Sequence, residues 1–239
     1  MLTVQSATIG YGRKAIARHV SMKVQAGEIV AVLGTNGSGK STLVKTLLGS
    51  QALLEGRLTW AGGRRPRPIA YLSQLTEFDR HFPMNVQTLV ASGAWGPGKR
   101  NRATPEKVEA ALHQVGLHDL GLAPIHELSG GQLQRARFAR AIIQDASFII
   151  LDEPFAAVDQ RRERQLLELI QSWAGQGRAV LLVLHDLSAA LEVCTLALLL
   201  GEGGGDFGPT DTILTAERLV ARGYLNQAQV ALMHKAAHG

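Results

Sequence analysis

The sequence is poor in cysteine, in aromatic residues and in long apolar runs, and each deficit excludes a class of protein. Cys194 is the only cysteine, so an internal disulfide is impossible and a reducing compartment is expected. No stretch reaches the roughly 20 uncharged apolar residues that a membrane span needs. The first residues, 1–5, have neither the basic start nor the apolar run of a signal peptide. We therefore expect a soluble intracellular protein.

Aromatic residues make up only 5% of the chain, which weakens the case that its positive charge serves to bind nucleic acid. A net charge of +5 permits contact with nucleic acid or with an anionic membrane surface. The basic clusters at 63–67, 99–102 and 161–164 contain none of the interleaved aromatic residues that a stacking platform for bases requires. Ordinary solvated loops and helix faces account for these clusters, so no nucleic-acid partner is expected.

The most informative stretch is 34–42, Gly-Thr-Asn-Gly-Ser-Gly-Lys-Ser-Thr, which follows the apolar run 28–33. A buried strand, a glycine-rich turn and a helix start in this order are typical of a phosphate-binding P-loop, because backbone N–H groups and the helix N-terminus converge on an anion. Lys40 can reach the β- and γ-phosphates, and the Ser41 hydroxyl can complete a Mg²⁺ shell. The alternative is a Gly/Ser-rich turn with no binding role. The candidate nucleotide-binding residues here are Gly34, Asn36, Gly37, Ser38, Gly39, Lys40, Ser41 and Thr42.

Alternation of apolar and polar residues predicts two antiparallel strands before the P-loop, at 2–9 and 19–24. Between them, Tyr11 lies in a Gly-Tyr-Gly segment that is expected to be a loop. This segment is either an ordinary turn or a loop in which the aromatic ring stacks on a base. Short strands are expected at 57–60 and 68–72.

Helical patterns dominate from residue 82 to residue 144, and buried strands return afterwards. Thr104 is expected to cap the second of the helices in this block, with Pro105 at its first position. The predicted helices are 85–92, 105–115, 133–144, 160–173 and an alanine-rich tail over 215–238. The predicted strands are 148–151, 179–184 and a hairpin formed by 196–200 and 206–208.

Buried strands that alternate with helices predict an α/β fold with a parallel sheet covered on both faces. We expect a P-loop NTPase with a mainly parallel sheet, an N-terminal antiparallel β subdomain and an inserted helical subdomain. The chain is expected to be a single domain, 1–239. Its expected parts are a nucleotide-binding core (1–74 and 148–215), the helical insertion (75–147) and a C-terminal tail (216–239).

Three polar residues lie at the ends of buried strands, where open α/β sheets place their ligands. Asp152 can hold Mg²⁺ directly or through water, and Glu153 can orient and deprotonate a water that attacks the γ-phosphate. His185 can contact the γ-phosphate or that water. Strand-end acids are also often helix caps, and a lone strand-end histidine is usually structural. With Lys40 in the P-loop, Glu153 and His185 are the candidate catalytic residues.

These residues occur in an order that resembles the ATPase subunits of ABC transporters, over residues 1 to about 215. The shared features are the P-loop, Gln74, the segment 128–132 (Leu-Ser-Gly-Gly-Gln), the strand that ends at Glu153, Asp159 and His185. Leu-Ser-Gly-Gly-Gln is the signature of that family. One departure is the segment 156–159, Ala-Ala-Val-Asp, where many relatives have Ser-Ala-Leu-Asp.

The resemblance implies roles for these residues and a head-to-tail pair that binds ATP with Mg²⁺. Tyr11 would stack on adenine, Gln74 would be the Q-loop glutamine, Glu153 the catalytic base and Asp159 the D-loop acid between subunits. Ser129, Gly131 and Gln132 would bind the γ-phosphate on the opposite subunit. Mg²⁺ would be held by Ser41, Gln74 and Asp152. The residues support the pairing, because Ser129 and the following glycines form a second anion site at a helix start.

A lone cassette with no membrane span resembles the separate ATPase subunit of a bacterial importer. The stretches 82–86, 91–93 and 152–155 are similar to zinc and manganese uptake cassettes. We therefore expect an ATP hydrolase on the cytoplasmic face of the membrane. It would drive metal import, zinc or manganese, through a separate permease and contact a periplasmic metal-binding protein only through that permease. Residues 75–98 are expected to receive a permease helix.

Three alternatives stay open at this point. Iron–siderophore importers share the stretch 82–86 and 91–93. A soluble ABC ATPase acting on nucleic acid is suggested only by the positive charge. A P-loop kinase leaves the signature unexplained. The histidines have no metal-ligand spacing, so no residue here need touch the cargo.

Overall fold

The computed structural model describes residues 1–74, 79, 81–95, 103–201 and 203–226. The chain divides into two compact units, Met1–Pro66 with Ala179–Gly239, and Arg67–Arg178. The predicted helical insertion, 75–147, lies within the second unit, and its boundaries stay a prediction.

Strands and helices alternate along most of the chain. Within the described ranges, the strands are β1 Leu2–Tyr11, β2 Lys14–Val24, β3 Ile29–Gly34, β4 Glu55–Trp60, β5 Ile69–Leu72, β6 Phe148–Asp152, β7 Ala179–Val183, β8 Leu196–Gly201 and β9 Gly204–Pro209. The α-helices of the same ranges are α1 Lys40–Leu48, α2 Val86–Ala91, α3 Pro105–Gln114, α4 Gly130–Gln144, α5 Gln160–Gly175, α6 Leu187–Val193, α7 Thr210–Ile213 and α8 Ala216–Ala221. Single 3₁₀ turns lie at Ser92–Ala94, His118–Leu120 and Ile125–Glu127.

In the first unit, β1 pairs with β2 and β4 in an antiparallel sheet of order β2-β1-β4. This confirms the predicted antiparallel strands before the P-loop. The placement of Tyr11 in a loop was wrong, because Tyr11 is the last residue of β1 and pairs with Lys14. The chain turns only at residues 12 and 13, where Gly12 supplies a φ of 57°.

The same unit contains three parallel strands, with β3 between β7 and β8. Every residue of β3 and β7 is buried, as continuous apolar runs in a parallel sheet require. β9 runs antiparallel to β8, which confirms the predicted hairpin. The parallel pairing places the carboxyl ends of β3 and β7 at the same edge, with Val32 opposite Val183.

The helices of the first unit depart from the predicted pattern. α6 was not predicted, because its seven residues are too few to show a clear helical period, although Asp186 caps it by accepting from the Ser188 N–H at 2.5 Å. In the described part of the tail, the helix ends at Ala221 because Gly223 takes a φ of 70° and turns the chain. The remainder of the predicted tail, from 227 onward, lies outside the described residues.

In the second unit, β5 and β6 are parallel, with Leu72 opposite Leu151. Thr104 caps α3 as predicted, by accepting from the Lys107 N–H. α4 begins at Gly130, three residues before the predicted start, because a capping box forms between Ser129 and Gln132 and satisfies the N–H groups of these two residues. No helix in the described ranges is long and apolar enough to cross a membrane.

Candidate functional site

The P-loop leaves β3 at Gly34 and ends in the first turn of α1. Gly34, Gly37 and Gly39 have φ values of 153°, 83° and 105°, which L side chains rarely adopt. A Cβ on Gly34 would lie only 2.4 Å from the carbonyl oxygen of Leu200. Glycine is therefore required at position 34 both for the backbone conformation and for the close approach of β8.

The first turn of α1 has the features of an anion site. Its N-cap, Gly39, provides no side-chain hydrogen bond, and no acidic residue lies in the first turn. The buried Ser38 hydroxyl has no hydrogen-bond partner among the described residues. The N–H groups of this turn and the Ser38 hydroxyl can donate to one phosphate, and the positive end of the helix dipole attracts its negative charge. The loop therefore fits a nucleotide phosphate.

Lys40 places a positive charge inside the same loop. Its ammonium group donates to the carbonyl oxygens of Gly34 and Thr35, at 2.7 and 3.1 Å, and the side chain is buried. A buried ammonium bound to carbonyls costs desolvation energy that an arriving phosphate would offset. Lys40 is thus placed to contribute charge to phosphate binding.

Tyr11 and His185 also lie in the first unit. The Tyr11 ring is 45% exposed and lies beside α1, with the Thr42 hydroxyl 3.5 Å from its hydroxyl and the Lys45 Nζ 6.0 Å from the ring centroid. The N–H of Leu184 donates to the carbonyl of Val32 at 3.0 Å. His185 therefore follows β7 at the sheet edge where the P-loop leaves β3, and its side chain is exposed.

A contact with His185 that the sequence did not predict comes from the C-terminal segment. The hydroxyl of Tyr224 donates to the His185 carbonyl oxygen, 39 residues earlier in the chain. Burial raises the pKa of Tyr224, and the negative charge of Asp186 raises it further. No motif marks Tyr224, so no sequence signal could have identified it.

In the second unit, the structure joins Gln74 to Glu153. The Gln74 side-chain amide donates to the Glu153 carboxylate at 2.7 Å. Both residues follow the carboxyl ends of the parallel pair β5 and β6, so the register of that pair brings them together. Glu153 has a φ of 50°, which costs a non-glycine residue on the order of 1–2 kcal/mol. Strain of this kind persists where surrounding contacts hold it, as they do at functional sites.

The signature segment starts α4, and two of its residues form reciprocal hydrogen bonds. Ser129 Oγ accepts from the Gln132 N–H at 3.2 Å, and the Gln132 side chain accepts from the Ser129 N–H at 2.8 Å. The Ser129 side chain is exposed, and its hydroxyl keeps a hydrogen to donate. Gly131 has no room for a Cβ, which would lie 2.7 Å from the carbonyl oxygen of Ala157.

Asp159 has a structural task in this chain. Its carboxylate caps α5 by accepting from the Arg162 N–H at 3.0 Å. The residue itself is exposed. Capping alone explains an acid at this position, and it leaves the second carboxylate oxygen available to another partner.

The oxygen donors that Mg²⁺ prefers are present in Ser41, Gln74 and Asp152. Ser41 is an exposed hydroxyl and Asp152 is a buried carboxylate at the end of β6. The Gln74 side-chain nitrogen donates to Glu153. The side-chain oxygen of Gln74 is not used in that bond and can act as a metal ligand. Within the second unit, Gln74 and Asp152 therefore offer oxygen atoms of the kind that Mg²⁺ prefers. No cluster of three His, Cys, Asp or Glu residues that could hold a transition metal occurs in the described parts of the chain.

Comparison with known proteins places these features in one family. Residues 17–156 match the family model described as ABC transporter. The chain is 36% identical over 224 residues to the manganese transport system ATP-binding protein MntB of Bacillus subtilis, covering 90% of this chain and 89% of that protein. It is 36% identical over 207 residues to the zinc transport system ATP-binding protein TroB of Treponema pallidum, covering 82% and 77%.

A solved structure shows the same fold. An ABC transporter assigned to the metal-chelate type, in an inward-facing conformation, superposes with a TM-score of 0.80 at 28% identity, covering 94% of this chain and 89% of that chain. The expected P-loop NTPase fold is confirmed. The chain therefore belongs to the ABC transporter family, as one of its ATP-hydrolysing subunits.

Proposed function

We propose that the chain hydrolyses ATP to drive the uptake of a metal ion, zinc first and manganese second, through a separate membrane permease. The observation that carries the chemistry is the Glu153 carboxylate at the end of β6, held by Gln74 at 2.7 Å. The relatives named for manganese and zinc transport support the cargo, since each matches most of this chain. An importer of a chelated metal, such as an iron–siderophore complex, is the second candidate, favoured by the structural match to a metal-chelate type transporter.

In this proposal, separate groups of residues bind the nucleotide, hold the metal and carry out the hydrolysis. Tyr11 stacks on adenine, and the P-loop with Lys40 binds the phosphates. Ser41, Gln74 and Asp152 would hold Mg²⁺, which would neutralise phosphate charge when bound. Glu153 accepts the proton of the attacking water while His185 contacts the γ-phosphate. The remaining P-loop members of the set are Gly34, Asn36, Gly37, Ser38, Gly39 and Thr42.

Two copies would act head to tail, because the signature segment offers a second candidate anion site in each copy. The signature segment starts a helix of 15 residues, and its exposed Ser129 can donate to phosphate. In a head-to-tail pair, Ser129, Gly131 and Gln132 of one copy would bind the γ-phosphate on the other. Asp159 would lie at the contact between copies.

The permease would bind a groove in the second unit. Apolar side chains line it, including Tyr71, Met84 and Leu89, and Phe82 and Trp95 at its margin are 54% and 65% exposed. Exposed aromatic residues around an apolar groove mark a binding surface for a partner helix. Phe82, Met84, Leu89 and Trp95 belong to the predicted permease surface, 75–98, whereas Tyr71 lies before it. Residues 75–78, 80 and 96–98 of that surface lie outside the described residues. Bound there, the subunit would sit at the cytoplasmic face of the membrane, and a periplasmic metal-binding protein would act only through the permease.

The groove is tested by charge substitution. Phe82→Asp should abolish co-purification with the permease and leave ATP affinity unchanged, because a buried carboxylate in the groove would lose its hydration. Leu122→Asp is the control, since Leu122 is 75% exposed and does not line the groove. A loss of ATP affinity with a surviving complex would refute the assignment.

The chemistry is tested by a pair of variants. Glu153→Gln keeps the shape of the side chain but cannot accept a proton, so ATP turnover should fall by about 10²–10⁴-fold while ATP binding persists. With ATP and Mg²⁺ the variant should accumulate as a dimer on size exclusion. Lys40→Ala should weaken ATP binding itself, and no dimer should accumulate. If Glu153→Gln releases phosphate at the parent rate, the base is another residue, and His185 is the next to substitute.

The cargo is tested with the permease and its metal-binding protein in liposomes. Zinc should stimulate ATP hydrolysis and uptake more than manganese does. Stimulation by a chelated iron complex alone would replace the proposed cargo and leave the ATPase assignment standing.

A further inference from the structure

One face of α4 contacts two loops of the second unit, the one after β5 and the one between β6 and α5. Gly131, Gln134 and Arg137 are spaced three residues apart and so lie along one side of the helix. Gly131 packs against the carbonyl of Ala157. The Gln134 side-chain amide donates to the Pro154 carbonyl at 2.8 Å, and Arg137 donates to the Ser73 carbonyl at 2.5 Å and to its hydroxyl at 3.0 Å.

These polar side chains are deeply buried. Gln134 is 0% exposed and Arg137 is 5% exposed. They are also joined to each other, because Arg137 donates to the Gln134 side-chain oxygen at 2.8 Å. A buried guanidinium is stable only when its N–H groups are bonded, so the network resists any change of its geometry.

The network binds the backbone next to each partner of the Gln74–Glu153 hydrogen bond. Ser73 precedes Gln74, and Pro154 follows Glu153. Glu153 is also held in a left-handed backbone conformation, with a φ of 50°. A fixed carbonyl at Pro154 opposes relaxation of that backbone, and a fixed carbonyl at Ser73 aims the Gln74 side chain.

We propose that Arg137 and Gln134 are positioning residues that hold the Gln74–Glu153 pair in its reactive geometry. They act through the backbone of Ser73 and Pro154 and do not touch the reacting atoms. Because both lie on the helix that starts with the signature segment, the position of the base follows the position of that helix. The inference rests on the proposed role of Glu153 in ATP hydrolysis.

The test is steady-state hydrolysis of Mg·ATP by the full chain. Arg137→Met should lower kcat by about tenfold or more and leave KM for ATP within about twofold, because misplacing a base weakens the transition state and spares ground-state binding. Gln134→Met, which is close in size, should behave the same way. A parent-like kcat in both variants overturns the proposal.

Arg135→Met is the matched control. Arg135 lies on the same helix and, like Arg137, donates to the backbone of a neighbouring loop, here to the carbonyls of Val115 and Gly116, both at 2.8 Å. Its substitution should destabilise the fold comparably but keep kcat within about twofold of the parent. Equal losses of kcat in Arg135→Met and Arg137→Met would assign Arg137 a structural role only.

A double-mutant cycle distinguishes positioning of Gln74 by Arg137 from a purely structural role of Arg137. If Arg137 acts through Gln74, the double variant Arg137→Met/Gln74→Ala should turn over no more slowly than Gln74→Ala alone. Losses that multiply would overturn the proposal. Absence of any hydrolysis by the parent protein would instead refute the proposed function, so the two failures are distinguishable.

Discussion

The ion pair that fastens α8 to β9 allows a stability prediction with a definite pH dependence. The Arg222 guanidinium donates twice to the Asp206 carboxylate, at 2.8 and 2.7 Å, and Arg218 lies 3.9 Å from the same carboxylate. Arg222 also packs against Gly201, where a Cβ would be 2.3 Å from its carbonyl oxygen. The pair therefore fixes the segment that carries Tyr224 to the His185 carbonyl. We predict the effect of Asp206→Asn.

The magnitude follows from geometry and exposure. A hydrogen bond to a charged group contributes about 1.5–3 kcal/mol when well shielded. The side chains of Asp206 and Arg222 are 25% and 20% exposed, so solvent screening reduces this to about 1–2 kcal/mol. For a chain of this size, where 1 kcal/mol corresponds to about 2–4 °C, Asp206→Asn should lower Tm by about 2–8 °C at neutral pH.

The sign of the pH dependence follows from the pKa of Asp206. The hydrogen bonds from Arg222 lower that pKa, burial opposes the shift, and the charges of Arg222 and Arg218 add to the lowering. A carboxyl whose folded pKa is depressed contributes stability that is present above its unfolded pKa, about 4, and is lost as pH falls through the folded pKa. The difference between parent and variant should therefore be largest near pH 7 and shrink toward pH 3.

The assay is thermal unfolding of parent and variant between pH 3 and pH 7. Asp211→Asn is the control, because Asp211 is exposed and its carboxylate accepts a hydrogen bond from the hydroxyl of its chain neighbour Thr212. The control should match the parent at every pH. A Tm difference for Asp206→Asn that is the same at pH 3 and pH 7 would refute the reasoning, since it could not arise from the ionised pair.

Three further outcomes are expected. Tyr224→Phe should cost about 1 kcal/mol in urea unfolding and lower kcat more than it raises KM, because the His185 carbonyl loses its donor; unchanged unfolding would contradict this contact. Gly131→Ala should destabilise the chain by about 1–3 kcal/mol and abolish most phosphate release, since its Cβ would clash with the Ala157 carbonyl; parent-like turnover would show that the loop shifts freely. Burial raises the pKa of the Cys194 thiol to about 12, so a disulfide reagent at pH 8 should label it only after unfolding; rapid labelling of the native protein would disprove its burial.

The sequence by itself determined the features that reside in contiguous segments. The P-loop could be read because its glycines, lysine and helix start follow one another, and a local backbone path brings the N–H groups together. The Thr104 cap and the β8–β9 hairpin were predicted for the same reason. The order of the P-loop, signature and strand-end residues was enough to predict the family.

Only the tertiary structure decided which distant residues meet. Gln74 and Glu153 are 79 residues apart, and they bond because β5 and β6 pair in one particular register. Gln134 and Arg137 look in the sequence like ordinary polar residues of a helix, whose exposure depends on which face packs inward. The left-handed backbone of Glu153 has no sequence signal at all, because surrounding contacts hold it against the residue's own preference. Local motifs encode local backbone geometry, whereas long-range hydrogen bonds depend on strand register and helix packing that no single segment specifies.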